Sequence, residues 1–274
     1  MFKNKMELRE MIRDGIENIV NSGMLQDYLS FLAKLRNYSF VNTLLIYQHN
    51  PYATHVAGMR KWNELGRFVR KGEKAIMIFA PRFRKNKSKE IDEETGLEVD
   101  VQQERLSGFV SVPVFDISQT DGDKVPSLVS DFGGHTELFE RFMSVFGRTY
   151  SISQQKLTAP LGGYTDGCAI VLNEIKSEEQ KLKTLIHEVA HCVLNHVGNE
   201  EKLKSVKEIE AEMTAFIVAE HFGIDSGEYS FGYLFGWGKG DIDQIMESVD
   251  VAYKVSKEII ESVELEASKD LIAS

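Results

Sequence analysis

The five residues His187-Glu188-Val189-Ala190-His191 constrain this chain more than any other stretch, because they put two imidazoles and a carboxylate within reach of one metal ion. At 3.6 residues per turn, positions 187 and 191 lie one turn apart on the same helical face, with Glu188 projecting beside them. The flanking residues supply the helix. Leu182, Leu185, Ile186, Val189, Ala190, Val193 and Leu194 recur at helical spacing as a buried face. Ser177 followed by Gln180 reads as a capping box at its start, and Gly198 as its stop. This pattern on a capped helix points to a catalytic zinc ion, with His187 and His191 as ligands and Glu188 as general base.

Such a site needs a third protein ligand and an open fourth position. The next helical pattern, Val206 to His221, offers Glu208, Glu210 and Glu212. Val206, Ile209, Met213, Phe216 and Ile217 form its core face, Glu208 and Glu212 share another face at i and i+4, and Glu210 points elsewhere. The segment resembles the second helix of gluzincin metallopeptidases, with Glu212 in the place of that clan's aspartate. The resemblance implies that Glu208 is the third ligand and that Glu212 orients a ligand histidine; with the order reversed, Glu212 binds the metal. The implied reaction is hydrolysis of a protein or peptide amide, with Glu188 taking a proton from water and delivering it to the leaving amine. Tyr229, Tyr233 and His221 are nearby candidates for an oxyanion donor, and nothing in the sequence selects among them.

A chain of 274 residues with 42% apolar content is long enough for one large or two modest domains. No run approaches 18 apolar residues, and Met1-Phe2-Lys3-Asn4-Lys5-Met6 leads into charged sequence, so no membrane segment or signal core is expected. Two cysteines, Cys168 and Cys192, argue against a disulfide framework, and the expected location is cytoplasmic.

The net charge of −10 is unevenly spread: residues 1–128 hold 19 Lys and Arg against 17 Asp and Glu (+2), the remainder 13 against 25 (−12). Residues 60–89 hold 11 basic and 2 acidic side chains, interleaved with Trp62, Phe68, Phe79 and Phe83. That composition suits a phosphate-tracking surface with stacking platforms, and Arg60, Lys61, Trp62, Arg67, Arg70, Lys71 and Lys74 are the candidate contacts to nucleic acid. The competing reading is a hairpin with aromatic core and solvated charges. An acidic DNA mimic fits poorly with so basic a stretch.

Periodicity predicts helices over Met6–Asn21, Met24–Arg36 and Phe40–His49, and a short helix or turn over Arg60–Leu65. Strands are expected at Phe68–Arg70 and Ala75–Phe79, paired across Lys71-Gly72-Glu73, with Pro81 closing the second. Residues 84–105 read as a charged, mobile hairpin tip or loop, Leu106–Phe115 as a strand, and Asp121–Ser130 as a linker. Thr136–Phe146 then reads as a helix, Tyr150–Ser153 and Gly162–Leu172 as strands, Gly232–Gly240 as a loop, and Asp241–Val263 as a final helix. Strands followed by a metal-binding helix are the order of a zincin core.

Three blocks carry a further resemblance: Ser39–Ile46, Trp62–Ile76, and Val114-Phe115-Asp116-Ile117-Ser118-Gln119-Thr120-Asp121-Gly122. In that order they resemble the N-terminal domain of ArdC-type antirestriction proteins. The resemblance spans roughly residues 25–220. It implies an α+β chain: an N-terminal single-stranded-DNA-binding domain with helices and a small sheet (1–125), then a zincin-like metallopeptidase domain (131–274). It also implies a role in shielding a mobile genetic element from restriction. The second half is equally similar to ImmA/IrrE metallopeptidases, which leaves the peptidase substrate open. The alternative is a non-catalytic DNA-binding antirestriction protein whose zinc is structural.

Overall fold

The computed structural model describes residues 5–91, 98–125, 134–226, 229, 231 and 242–273. The mixed α+β class expected from the sequence is what the chain adopts. It divides into two compact units, Leu45–Val125 and the combination of Phe2–Leu44 with Pro126–Ser274. That division is not the linear one at 125. The first two helices, expected to join the N-terminal domain, pack instead with the metal-helix unit.

The first unit is a small sheet assembly. Strand β1 (Val56–Ala57), helix α4 (Met59–Glu64) and β2 (Arg67–Val69) precede a long antiparallel ribbon of β3 (Ile76–Ile91) and β4 (Glu98–Asp116). A 3₁₀ turn (Ile117–Gln119) and β5 (Thr120–Gly122) follow. The sheet order is β1-β4-β3, and β2 pairs separately with β5. Three expectations are corrected. β2 does not pair with β3 across Lys71–Glu73; it pairs with β5, Phe68 opposite Asp121, so part of the expected linker is a strand. Pro81 does not end β3, because β3 is an edge strand, where a missing N–H is tolerated. The charged segment 84–105 is largely ladder, Arg84 opposite Arg105 through Ile91 opposite Glu98, and only its tip lies outside the described residues.

Four polar ties hold this unit. Trp62 is 2% exposed and its indole N–H donates to the Phe115 carbonyl at 2.9 Å. Buried Asp116 accepts from the Thr54 and Ser118 amides, both at 2.9 Å, and the Gln119 side chain accepts from the Asp116 amide, closing a capping box. The Arg67 guanidinium donates to the Thr120 hydroxyl and carbonyl, both at 2.8 Å. Arg70 donates to Glu73 at 2.8 Å and also reaches the Ser118 carbonyl and Asp121.

The second unit layers helices over a three-stranded sheet. Its elements are α1 (Lys5–Asn21), α2 (Leu25–Lys34), the start of α3 (Phe40–His49), α5 (His135–Phe146), β6 (Ser151–Gln155), β7 (Gly163–Thr165), β8 (Ala169–Asn173), α6 (Glu178–Val193), α7 (Lys204–Phe222) and α8 (Ile242–Ala273). β8 is central, parallel to β6 and antiparallel to the edge strand β7. Leu138, Phe142, Ile170, Leu172, Leu185, Ile186, Val189, Ala215, Val218 and Ile260 form one continuous core.

The turn after α2 explains why the N-terminal helices belong here. Arg36 forms an ion pair with Glu264 of α8 at 2.7 Å, Glu264 meets His221 of α7 at 3.0 Å, and the Tyr253 hydroxyl lies 2.9 Å from the Leu35 carbonyl. The expected loop at 232–240 lies outside the described residues. Among the described residues no helix is long and apolar enough to cross a membrane.

Candidate metal centre

Helix α6 begins as read from the sequence. The Ser177 hydroxyl accepts from the Gln180 amide at 3.2 Å, and the Gln180 side chain accepts from the Ser177 amide. It stops earlier than Gly198. Leu194 caps it and Asn195 takes a left-handed conformation, φ 51°. The His196 amide then donates back to the His191 carbonyl at 3.0 Å, the long bond of a Schellman turn, with asparagine serving where glycine is usual.

His187, His191 and Glu208 converge, each offering a donor atom within 4.8 Å of the others. The two Nε2 atoms are 3.0 Å apart, and the Glu208 Oε2 lies 3.8 Å from His187 and 3.6 Å from His191. Around a tetrahedral ion with bonds of about 2.0–2.1 Å, neighbouring donors sit about 3.3 Å apart. The observed separations bracket that value, so the donor set fits a divalent metal ion. Glu212 lies 3.7 Å from the other face of the His187 ring, at Nδ1. The structure thus brings Glu208 to the ligand edge and Glu212 behind His187.

Glu188 is buried beside them. With His187, Glu212, Lys183, Thr184, Tyr229 and the Gly162-Gly163 pair, it lines a cleft of about 290 Å³. Gly163 belongs to β7 at the cleft wall, and its close approach to α6 requires glycine. A Cβ there would come within 2.8 Å of the Thr184 methyl and 2.6 Å of the Val171 carbonyl.

The electrostatics divide the labour. Burial raises the Glu188 carboxyl above its ordinary value, with the Glu208 charge adding and His187 opposing. Burial raises Glu212 in the same way. A hydrogen bond from His187 leads the effects that hold Glu208 low, so it is a carboxylate. Burial, with the neighbouring His187 charge, pushes His191 down to about 4, which keeps its ring neutral. For His187 burial opposes the charge, but the Glu208 hydrogen bond and the Glu188, Glu212 and Glu208 charges outweigh it and raise the imidazole.

Below its raised value the His187 ring therefore carries a proton at Nε2, on the side of the His191 ring. A metal must displace it. Uptake is expected to release close to one proton per ion well below the raised His187 value, with affinity falling roughly tenfold per pH unit of acidification there. Calorimetry in buffers of different ionisation enthalpy measures that proton directly.

Sequence reasoning missed His196 and Glu210. The His196 Nδ1 lies 2.9 Å from the His191 Nδ1, its Nε2 2.9 Å from Glu210 Oε2, and the Lys202 ammonium 2.7 Å from the same carboxylate. The only signal was the Asn195 turn, which sets His196 under His191.

The expected DNA contacts divide. Trp62 is a core residue, not a stacking platform, because its ring is buried and its N–H is used internally. Arg67 and Arg70 tie β2 to β5 and the turn before it. Arg60 and Lys61 pair with Glu64 yet face solvent, as do Lys71 and Lys74. Among the described residues of this unit the exposed aromatics are Tyr52 (88%), Phe68 (62%), Phe83 (54%) and Phe109 (63%). Two-residue alternation puts Met77, Pro81 and Phe83 on one face of the ribbon, with Phe109 opposite Pro81, and the register shift between Arg82 and Phe83 brings Leu106 opposite Phe83.

Comparison with known proteins follows the same two parts. Residues 7–115 match the model of the N-terminal domain of anti-restriction factor ArdC, and residues 153–261 match the peptidase M78 model, the IrrE N-terminal-like domain. A curated relative, an uncharacterized protein of Bacillus anthracis, is 26% identical across 96% of this chain. The chain spans about half (52%) of that relative's length. The crystal structure of the antirestriction ArdC protein from plasmid R388 shares the fold. Its metal-free form has a TM-score of 0.55 and its Mn(II)-bound form 0.58, each at 21% identity over 93% of this chain and 97% of that one.

Proposed function

We propose that this chain, an ArdC-type protein by its two matched domains and their order, is an antirestriction factor of a mobile element that binds single-stranded DNA and hydrolyses a protein substrate at a zinc centre. The observation that carries the hydrolytic reading is the convergence of His187, His191 and Glu208 beside Glu188 at an open cleft. When bound there, a zinc ion supplies Lewis acidity that lowers the pKa of water and polarises a carbonyl. His187, His191 and Glu208 would hold it, and Glu212 behind His187 would orient that ring. Glu188 accepts the proton of the attacking water and returns it to the leaving amine, a task suited to a carboxyl raised by burial. The edge strand β7 borders the cleft and can pair with an extended substrate segment.

The test is a comparison of new protein termini by mass spectrometry after incubation with zinc-loaded and metal-stripped protein. Termini that arise only with metal support the peptidase. Identical profiles favour the alternative, a DNA-binding protein with a structural ion.

For DNA, the support is the ribbon face. Phe83, Leu106 and Phe109 are exposed there, and on the opposite face Arg84 sits across from Arg105, a like-charge pairing that a polyanion relieves. Affinity for a single-stranded oligonucleotide is expected to fall with salt at a log–log slope of roughly −0.7 per phosphate contacted. Phe83→Ala and Phe109→Ala should each weaken it by about 1–3 kcal/mol. Fluorescence anisotropy across salt concentrations measures both; binding insensitive to salt and to both substitutions contradicts this surface.

A further inference from the structure

We propose that the buried chain Lys202–Glu210–His196 is a positioning device that fixes the tautomer of His191 and thereby sets the affinity of the metal centre. The inference rests on the metal-centre reading above and concerns residues that do not touch the metal. Glu210 is fully buried and His196 is 3% exposed. A carboxylate so placed is costly unless its oxygens are satisfied, and here Lys202 approaches both oxygens, at 2.9 and 2.7 Å, with His196 on one of them at 2.9 Å. The Lys202 ammonium can only donate, so both Glu210 oxygens serve as acceptors.

A carboxylate ion-paired in this way accepts from its other neighbour as well, and that gives the chain a direction. The proton of a neutral His196 must sit on Nε2, donated to Glu210. Its Nδ1 is then a lone pair, and it faces the His191 Nδ1 at 2.9 Å. His191 must donate there, so the His191 proton is on Nδ1 and the lone pair on Nε2. That Nε2 is the atom 3.0 Å from the His187 Nε2 and 3.6 Å from Glu208. The opposite tautomer would put a proton where the ion binds. The local sequence builds the device. Asn195 turns the chain after α6 and the His196 amide closes on the His191 carbonyl, so backbone and ring of His196 both engage the same residue. Glu210 is two residues from Glu208 on α7, so the two carboxylates leave the helix in different directions, one to the ion and one to His196.

The experiment uses the full chain with Zn(II) as probe and chelator competition as readout, alongside ¹⁵N imidazole NMR of the metal-free wild type at a pH where the rings are neutral. His191 is expected to be protonated at Nδ1. His196→Ala and Glu210→Gln are each expected to lower Zn(II) affinity by roughly 10–100-fold while the metal-free proteins keep the wild-type circular dichroism. His196→Gln, whose amide oxygen can accept from Nδ1–H, should recover part of the loss relative to His196→Ala. An Nε2-protonated His191 in the wild type overturns the proposal even if neither variant folds. So does unchanged Zn(II) affinity in a folded His196→Ala. Failure of the wild type itself to bind Zn(II) overturns the underlying metal-centre reading, and with it any role of the chain in affinity.

Discussion

Glu188→Gln is expected to keep one metal ion bound and to slow hydrolysis of a protein substrate by about 10²–10⁴-fold, the usual worth of a positioned general base. Glu188 is not among the three converging donors, yet it lines the same cleft as His187. Glutamine preserves its volume and its place in the buried wall, so α6 should be undisturbed. What it removes is the oxygen that takes and returns a proton. Metal content and initial rates, measured on a substrate found by terminal proteomics, separate the two effects. Loss of metal together with activity would reassign Glu188 as a ligand. Undiminished hydrolysis would move the base elsewhere.

Trp62→Ala is expected to destabilise the first unit by about 3–5 kcal/mol, a large share of the stability of a small domain. The indole is one of the largest fully buried side chains, and its N–H holds the Phe115 carbonyl. Its removal leaves a cavity and strips a buried acceptor of its donor. Trp62→Phe keeps most of the volume and loses the hydrogen bond, so it should cost markedly less. Denaturant titration read by hydrogen exchange in residues 56–122 measures both. Weakened DNA binding in Trp62→Ala would follow from unfolding of the ribbon's support, whereas Phe83→Ala should weaken binding without changing stability.

This contrast shows where the sequence was legible. Composition counts Trp62, Phe68 and Phe83 alike, but Trp62 is buried and hydrogen-bonded to Phe115, 53 residues away. For the same reason the pairing of β2 with β5 escaped a reading that looked for the nearest strand. The basic block Arg67–Lys74 looked like a phosphate surface, and two of its arginines instead fasten turns. The convergence of His187, His191, Glu208 and Glu212 was readable because it is local twice over. One helical turn sets His187 against His191, and one turn on α7 sets Glu208 against Glu212. What lay outside those periods was lost. Glu210 was correctly seen to face away from the other two carboxylates, but its partner His196 depends on a left-handed Asn195 that no periodicity announces. The N-terminal helices followed sequence order in the reading. In the fold, Arg36 and Tyr253 tie them to α7 and α8.

His187, His191 and Glu208 are expected to hold one divalent ion next to Glu188. Anomalous X-ray scattering at the zinc edge from crystals grown with Zn(II) tests it most directly. The expected result is a single strong peak bonded to Nε2 of His187, Nε2 of His191 and the Glu208 carboxylate, with Glu212 outside bonding distance. A peak held by Glu212 in place of Glu208, or no peak between the two histidines, would contradict the account.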